Sequence, residues 1–364
     1  MKKRIVAFLL ALAMLVGLVP QMMLAALAEE LSDIYTLEND FIRVSVSKKN
    51  GGFTARTVEG DRLKKSDNNK DLLYHDGEYD TSFVTFRVTD AGGNTTDYLF
   101  GGKYAGSSKV EVTQAQAGGE IRAVWSVGDL TFTETIALAN AVSNENGMIS
   151  VGLAVENRGA PVKVQARILY DTYLDGRDYG IYQVSDTQSN IETITTERLL
   201  DGSTYAVPQN FYAVDDPANI GTAAYSVNPV LPYAVAFGHW NRLAGTLYDF
   251  TPLPTLDFTD TRNEYRTADS AYALYFDLGT VAGGADTSLV TYYGVYAHAD
   301  VAASDSVAVD LTAPMRLSLN AGKTDFVRQS DRGIADFMIT ANFTNIDVPG
   351  AVDLANIVLA VRTT

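Results

Sequence analysis

Residues equipped for chemistry are few in this chain. Histidine occurs three times, at His75, His239 and His298, and cysteine does not occur. His239 stands in Phe237-Gly238-His239-Trp240, where an apolar run gives way to polar and aromatic residues. An imidazole so placed could pass a proton near neutral pH. A carboxylate partner would come from the acidic stretch Asp171, Asp175 and Asp178. If the chain is an enzyme, His239 with Asp171 or Asp175 carries the acid–base work. A structural histidine beside a solvated acidic loop fits the same residues, and the balance leans away from catalysis.

Metal chemistry has little support in the spacing. Without cysteine and with scattered histidines, a transition-metal centre is not expected. Asp67, Asn69, Asp71 and Glu78 occupy the first, third, fifth and twelfth places of an EF-hand-like loop, but Leu72 stands where the sharp turn needs glycine. No cofactor or metal is therefore expected, with a calcium ion held by the acidic loops as the alternative. The aromatic residues offer a different chemistry. Tyr233, Phe237, His239, Trp240, Asn241, Arg242 and Tyr248 mix ring faces with hydrogen-bonding groups. Sugars are held by that mixture, because their C–H faces stack on rings while their hydroxyls need polar partners. Trp240, Arg242, Tyr233 and Tyr248 are accordingly the candidate ligand residues, with Trp240 expected at a partly exposed rim. Tyrosine and phenylalanine also fill β cores, and that use competes with the first.

Composition narrows the partners. With 44 acidic against 28 basic residues the net charge is −16, and no basic cluster offers a footprint for nucleic acid. Lys2, Lys3 and Arg4, then the apolar run Ile5 to Val19 and the small residues around Ala26-Leu27-Ala28, read as a secretory signal peptide over residues 1–28. The mature protein is then expected to be secreted and held at a cell surface through a missing C-terminal region, with no membrane insertion of its own. A chain of about 300 residues buries around three quarters of its unfolded surface, so it can fold without disulfides.

The elements that must position these residues are strands. Phe41 to Val46 and Phe53 to Val58 flank Asn50-Gly51-Gly52; Phe83 to Val88 and Asp97 to Phe100 flank Asp90 to Asn94; Val110 to Thr113 and Ile121 to Val127 flank Gly118-Gly119. Each set reads as a hairpin. Ile121, Ala123, Trp125 and Val127 share a face, which assigns Trp125 to the core. Met148 to Asn157 and Val162 to Tyr170 read as a further hairpin at the centre of the fold. Arg167 and Asp171 are expected to share a face there and form an ion pair. Strands are also expected at Leu130 to Leu138, Ile191 to Leu199, Leu231 to Phe237, Gly245 to Phe250, Tyr272 to Leu278 and Leu289 to Ala297. So many short strands with regular turn signals predict an all-β, large antiparallel sandwich over residues 29–312. After Asp310 to Pro314 the composition shifts, and residues 313–364 are expected to be an incomplete immunoglobulin-like segment. The alternative is an appendage completing the first sheet.

Glu38 to Val44 with Asn50 to Phe53, Thr57 to Asp61, Val155 to Asn157 and Arg167 to Thr172 resemble the N-terminal modules of large Gram-positive surface proteins, whose fold is similar to the galactose-mutarotase-like supersandwich. Residues 335–361 resemble the start of immunoglobulin-like repeats. The resemblance implies a non-catalytic surface module, glycan-binding or structural and adhesive, facing carbohydrate such as a host or cell-wall glycan. Its alternative is a carbohydrate-active enzyme of the same fold, epimerase or lyase-like. Mutarotases pair a histidine acid with a glutamate base, and neither His75 nor His298 has the surroundings that pairing implies.

Overall fold

The computed structural model describes residues 33–58, 68–75, 77, 79–102, 110–114, 119–139, 147–185, 191–203, 206–217 and 222–295, with four short strands between 307 and 345. The leader, Asp67, Glu78, His298 and residues 346–364 of the expected immunoglobulin-like segment lie outside the described residues.

The chain opens with β1 (Ile34–Glu38), β2 (Ile42–Ser47) and β3 (Phe53–Thr57), an antiparallel meander. The hairpin β4 (Phe83–Thr89) and β5 (Thr95–Phe100) follows, then β6 (Val110–Gln114), β7 (Glu120–Val127), β8 (Leu130–Leu138) and β9 (Met148–Asn157). Beyond them lie β10 (Val162–Thr172), β11 (Ile181–Ser185), β12 (Ile191–Ile194), β13 (Arg198–Leu200), β14 (Asn210–Val214), β15 (Ala223–Val227) and β16 (Ala234–Gly238). A single turn of helix, α1 (Trp240–Ala244), precedes β17 (Ser270–Val281) and β18 (Ala285–Gly294). A six-stranded sheet runs β13-β16-β17-β10-β4-β5, and a nine-stranded one β12-β11-β14-β15-β18-β9-β8-β7-β6. The protein is all-β, with two large antiparallel sheets. Among the described residues no helix is long and apolar enough to cross a membrane.

Alternation builds this core. Phe132, Glu134 and Ile136 on β8, and Val164, Ala166, Ile168 and Tyr170 on β10, point inward, and Trp125 is buried with them as expected. Aromatic contacts join the sheets: Phe86 lies 4.6 Å from Phe132, and Tyr170 lies 5.1 Å from Tyr293, between ring centroids. The small sheet adds Leu37, Val44, Val46, Phe53 and Ala55 to the same core.

Three of the expected hairpins form, at β2–β3, β4–β5 and β6–β7. The central one does not. β9 pairs with β8 and β18, whereas β10 pairs with β4 and β17, so the Asn157 to Pro161 turn carries the chain from one sheet to the other. Alternation is identical in a hairpin and in such an arch, which is why periodicity misassigns the pairing. Asn157 fixes the corner by donating from Nδ2 to Ala160 O and Val281 O. β17 and β18 cross in the same way beside it.

The outer face of the six-stranded sheet is also covered. Residues 239–269 lie across it, and Trp240, Leu243, Ala244, Tyr248 and Phe250 pack on Leu169, Ala271, Ala273 and Tyr275 in a second apolar cluster. The strand expected at Gly245 to Phe250 is therefore irregular chain, preceded by a helical turn that His239 caps by accepting from Asn241 N. In the later segment β19 (Val307–Thr312), β20 (Ser318–Leu319), β21 (Phe326–Val327) and β22 (Thr340–Asn345) form two ladders. β19, placed by sequence at the end of the large sandwich, pairs with β22 from Val307↔Asn345 to Thr312↔Thr340.

Candidate functional site

The small sheet presents an open groove of about 330 Å³, lined by Thr36, Glu38, Arg43, Ser45, Thr54, Arg56, His75 and Tyr79 with Ile34 at one end. Register explains its chemistry. Thr36 faces Ser45 and Ser45 faces Thr54, which gives one cross-strand row of hydroxyls. Two residues along, Glu38 faces Arg43 and Arg43 faces Arg56, which gives a parallel row of charges on the same face. Arg43 Nε donates to Glu38, and Arg56 Nε lies 3.6 Å from Asp71. Arg56 also donates to Asn69 O at 2.8 Å.

The segment beyond β3 supplies the groove's aromatic wall. Leu72 N donates to Ala55 O, and Thr54 Oγ1 donates to Leu73 O at 2.9 Å, so residues 70–75 continue the sheet edge. His75 then stacks on Tyr79 with centroids 5.3 Å apart and planes 2° from parallel. The groove therefore sets a flat ring pair beside hydroxyls, two guanidiniums and the Glu38 carboxylate. Of the loop compared with an EF-hand, Asp71 is engaged here, 4.0 Å from His75 Nε2 as well as near Arg56.

The aromatic residues that sequence singles out lie elsewhere. Trp240 is 8 % exposed, and its indole N–H donates to Thr81 O at 2.9 Å, so the expected rim position is corrected to a buried one. Of its polar neighbours Arg242 is engaged internally: its Nε donates to both oxygens of buried Glu197, at 2.9 and 2.8 Å, and its NH2 group to Thr251 O. Glu197 also accepts from His239 N and Leu253 N, which fastens the covering segment to the sheet; burial still pushes its carboxyl upward. Tyr248 is buried under Arg87, whose guanidinium lies 4.0 Å above its ring, and burial raises its phenol. Tyr233 is 40 % exposed, with its hydroxyl 3.1 Å from that of Tyr248.

The catalytic candidates are partly brought together. His239 is fully buried beneath the Tyr265 ring, 4.5 Å away, and its Nδ1 lies 3.8 Å from Asp269 Oδ2. Burial lowers the imidazole's pKa and leaves it neutral, with Nδ1 accepting from Asn241 N. Carboxylate oxygens of Asp171, Asp178 and Asp269 lie within 4.8 Å of one another. Burial pushes Asp178 up to about 6; burial and then the Asp178 charge push Asp269 up to about 8. Asp175 turns away and pairs with Lys70 at 2.5 Å. Arg167 does not meet Asp171. Four residues along a strand span about 13 Å, and the buried guanidinium instead donates to Leu243 O in α1 at 2.7 Å and to Thr246 O just after it at 3.0 Å. Asp269 was missed in the sequence because only the folded chain brings it beside β10.

No protein-family model matches the sequence, and neither does any curated protein. Solved structures similar to the fold include a galactose mutarotase related enzyme from Lactobacillus acidophilus, at 9% identity and a TM-score of 0.39, covering 72% of this chain and 96% of that one. A GalM/aldose epimerase homologue from C. elegans matches at 11% identity and a TM-score of 0.43, over 72% and 98% of the two chains. A polysaccharide lyase matches at 11% identity and a TM-score of 0.36, over 78% of this chain and 36% of that one. Similarity at this level assigns neither an activity nor a residue role, so function is argued from this chain's own side chains.

Proposed function

We propose that this protein is a non-catalytic, glycan-binding β module, with the groove on the small sheet as its site. The observation that carries this reading is the pairing of stacked His75 and Tyr79 rings with the row Thr36, Ser45 and Thr54 and the row Glu38, Arg43 and Arg56. A sugar ring can lay its C–H face on Tyr79 while its hydroxyls exchange bonds with guanidiniums and carboxylates. Glu38 in the groove faces the Arg43 guanidinium, and Asp71 lies beside Arg56, an arrangement suited to orienting hydroxyl groups. The leader-like residues 1–28 support export of the module.

A glycan array probed with the full chain tests the reading, followed by titration of any hit against Tyr79→Ala and Arg56→Ala. Loss of a stacking face or of a charge-assisted hydrogen bond should weaken binding by about 1–3 kcal/mol, tenfold or more. An array without a hit, or a hit that both variants bind as well as the parent chain, would overturn it.

A further inference from the structure

The covering segment and the six-stranded sheet enclose a second constellation, at the opposite end of β10 from its arch. Asp171 is near the end of β10. Asp178 follows a tight turn in which Leu174 and Arg177 exchange both backbone hydrogen bonds, with Asp175 and Gly176 at φ +51° and +76°. Asp269 immediately precedes β17. Three separate stretches of chain thus converge, and the backbone holds them: Ser270 N donates to Asp178 O, Asp171 N donates to Ser82 Oγ at 3.0 Å, and Gly180 N donates to Ser270 Oγ at 2.7 Å.

A cluster of acids alone can be an accident of an acidic chain. Here a second observation points to an occupant. Asp269 is 8 % exposed, and its Oδ1 is buried without a hydrogen-bond partner among the described residues; Asp178 Oδ1 is buried in the same condition. Neither acid has a lysine or arginine ion pair among the described residues, and the one cationic candidate, His239, is turned so that Nδ1 accepts from α1. Buried carboxylate oxygens are ordinarily hydrogen-bonded or bound to a cation.

We propose that Asp171, Asp178 and Asp269 form a binding site for a calcium ion that ties the end of β10 and the following turn to the start of β17. Calcium–oxygen distances of about 2.4 Å place ligands on opposite sides of one ion about 4.8 Å apart. The three carboxylate oxygens lie within that span, so one ion can touch all three. The ligand set is oxygen only, which suits a hard cation, and water can complete a coordination number that calcium leaves flexible. The site would be structural: it closes the covering segment over the sheet and contains no group that the glycan groove uses.

Calorimetric titration of the metal-stripped full chain with calcium chloride tests the site, alongside thermal melts in calcium chloride, magnesium chloride and sodium chloride of matched ionic strength. The expected result is saturable one-site binding of calcium and a rise in Tm of about 5 °C at a hundredfold excess over Kd. Sodium chloride should not reproduce that rise. Asp178→Asn should weaken calcium binding at least tenfold. Asp269→Asn should abolish the calcium-dependent rise while raising the metal-free Tm, because it removes a buried acid, so loss of response cannot be mistaken for misfolding. No calcium heat, a shift that sodium chloride matches, or full calcium response in both variants would overturn the proposal. Glycan binding by the groove is read separately, so either result leaves that reading intact.

Discussion

Trp240 is flanked by Asn241 and Arg242, and in a linear sequence such polarity places a ring at a surface. In the folded chain Arg242 finds Glu197, 45 positions upstream, and the indole closes the second apolar cluster with its N–H on Thr81 O. Trp240→Ala should therefore cost about 3–5 kcal/mol of stability, the usual range for emptying a buried aromatic position, read as a fall in the urea midpoint at unchanged slope. A midpoint within error of the parent would return the residue to a surface role. Tyr79→Ala should behave oppositely, lowering glycan affinity while moving the midpoint by less than about 1 kcal/mol. β2 and β3 are legible as strands in the sequence, but β1, which supplies Thr36 and Glu38, is not, so the groove's hydroxyl and charge rows appear only with the fold. The approach of His75 and Tyr79 is not visible in the sequence either, because it depends on residues 70–75 pairing with β3.

At the scale of elements, strand positions were legible and strand partners only partly so. Period-2 burial identifies β9 and β10, but the same pattern serves a hairpin and an arch, and only the partners β18 and β17 decide between them. The covering segment was less legible still. A helical turn and irregular chain gain stability there from the sheet beneath them and from Glu197 and Arg167, none of which is local. The two arches touch at their tips, where Gly284 N donates to Asn157 O at 2.7 Å. A Cβ on Gly283 would meet Gly159 O at 2.3 Å, whereas one on Gly284 meets nothing within 4 Å but sits at φ +79°. Gly283→Ala should accordingly destabilise by about 1–3 kcal/mol through forced separation of the arches. Gly284→Ala should cost about 1 kcal/mol, from backbone strain alone. Thermal melts that rank the two in reverse order would show that the arches separate freely.

For the whole molecule the decisive feature is an acid in the core between the sheets. Glu134 lies on the inward face of β8 between Phe132 and Ile136, opposite Ala123 and Leu153 on the neighbouring strands, and is 3 % exposed. Its Oε1 has no hydrogen-bond partner among the described residues. Tyr170, the titratable group that feels its charge, is itself buried and held neutral, with its hydroxyl 3.1 Å from Thr291 Oγ1. Burial pushes the Glu134 carboxyl from 4.5 up to about 8. Below the ordinary glutamate value both the folded and unfolded chains carry the proton, and this group leaves stability unchanged. As pH rises through the interval to about 8, the unfolded chain releases the proton first, so stability falls across that window. The loss should approach about 2–5 kcal/mol, since each pKa unit corresponds to about 1.4 kcal/mol. Glu134→Gln replaces the acid by a neutral side chain of nearly the same shape and should remove this component. Denaturant midpoints measured at about pH 5 and about pH 8.5 should therefore diverge more in the parent chain than in the variant. If both chains lose the same stability between those conditions, Glu134 is charged and solvated within the fold, and the sheets must part enough near β8 to admit water.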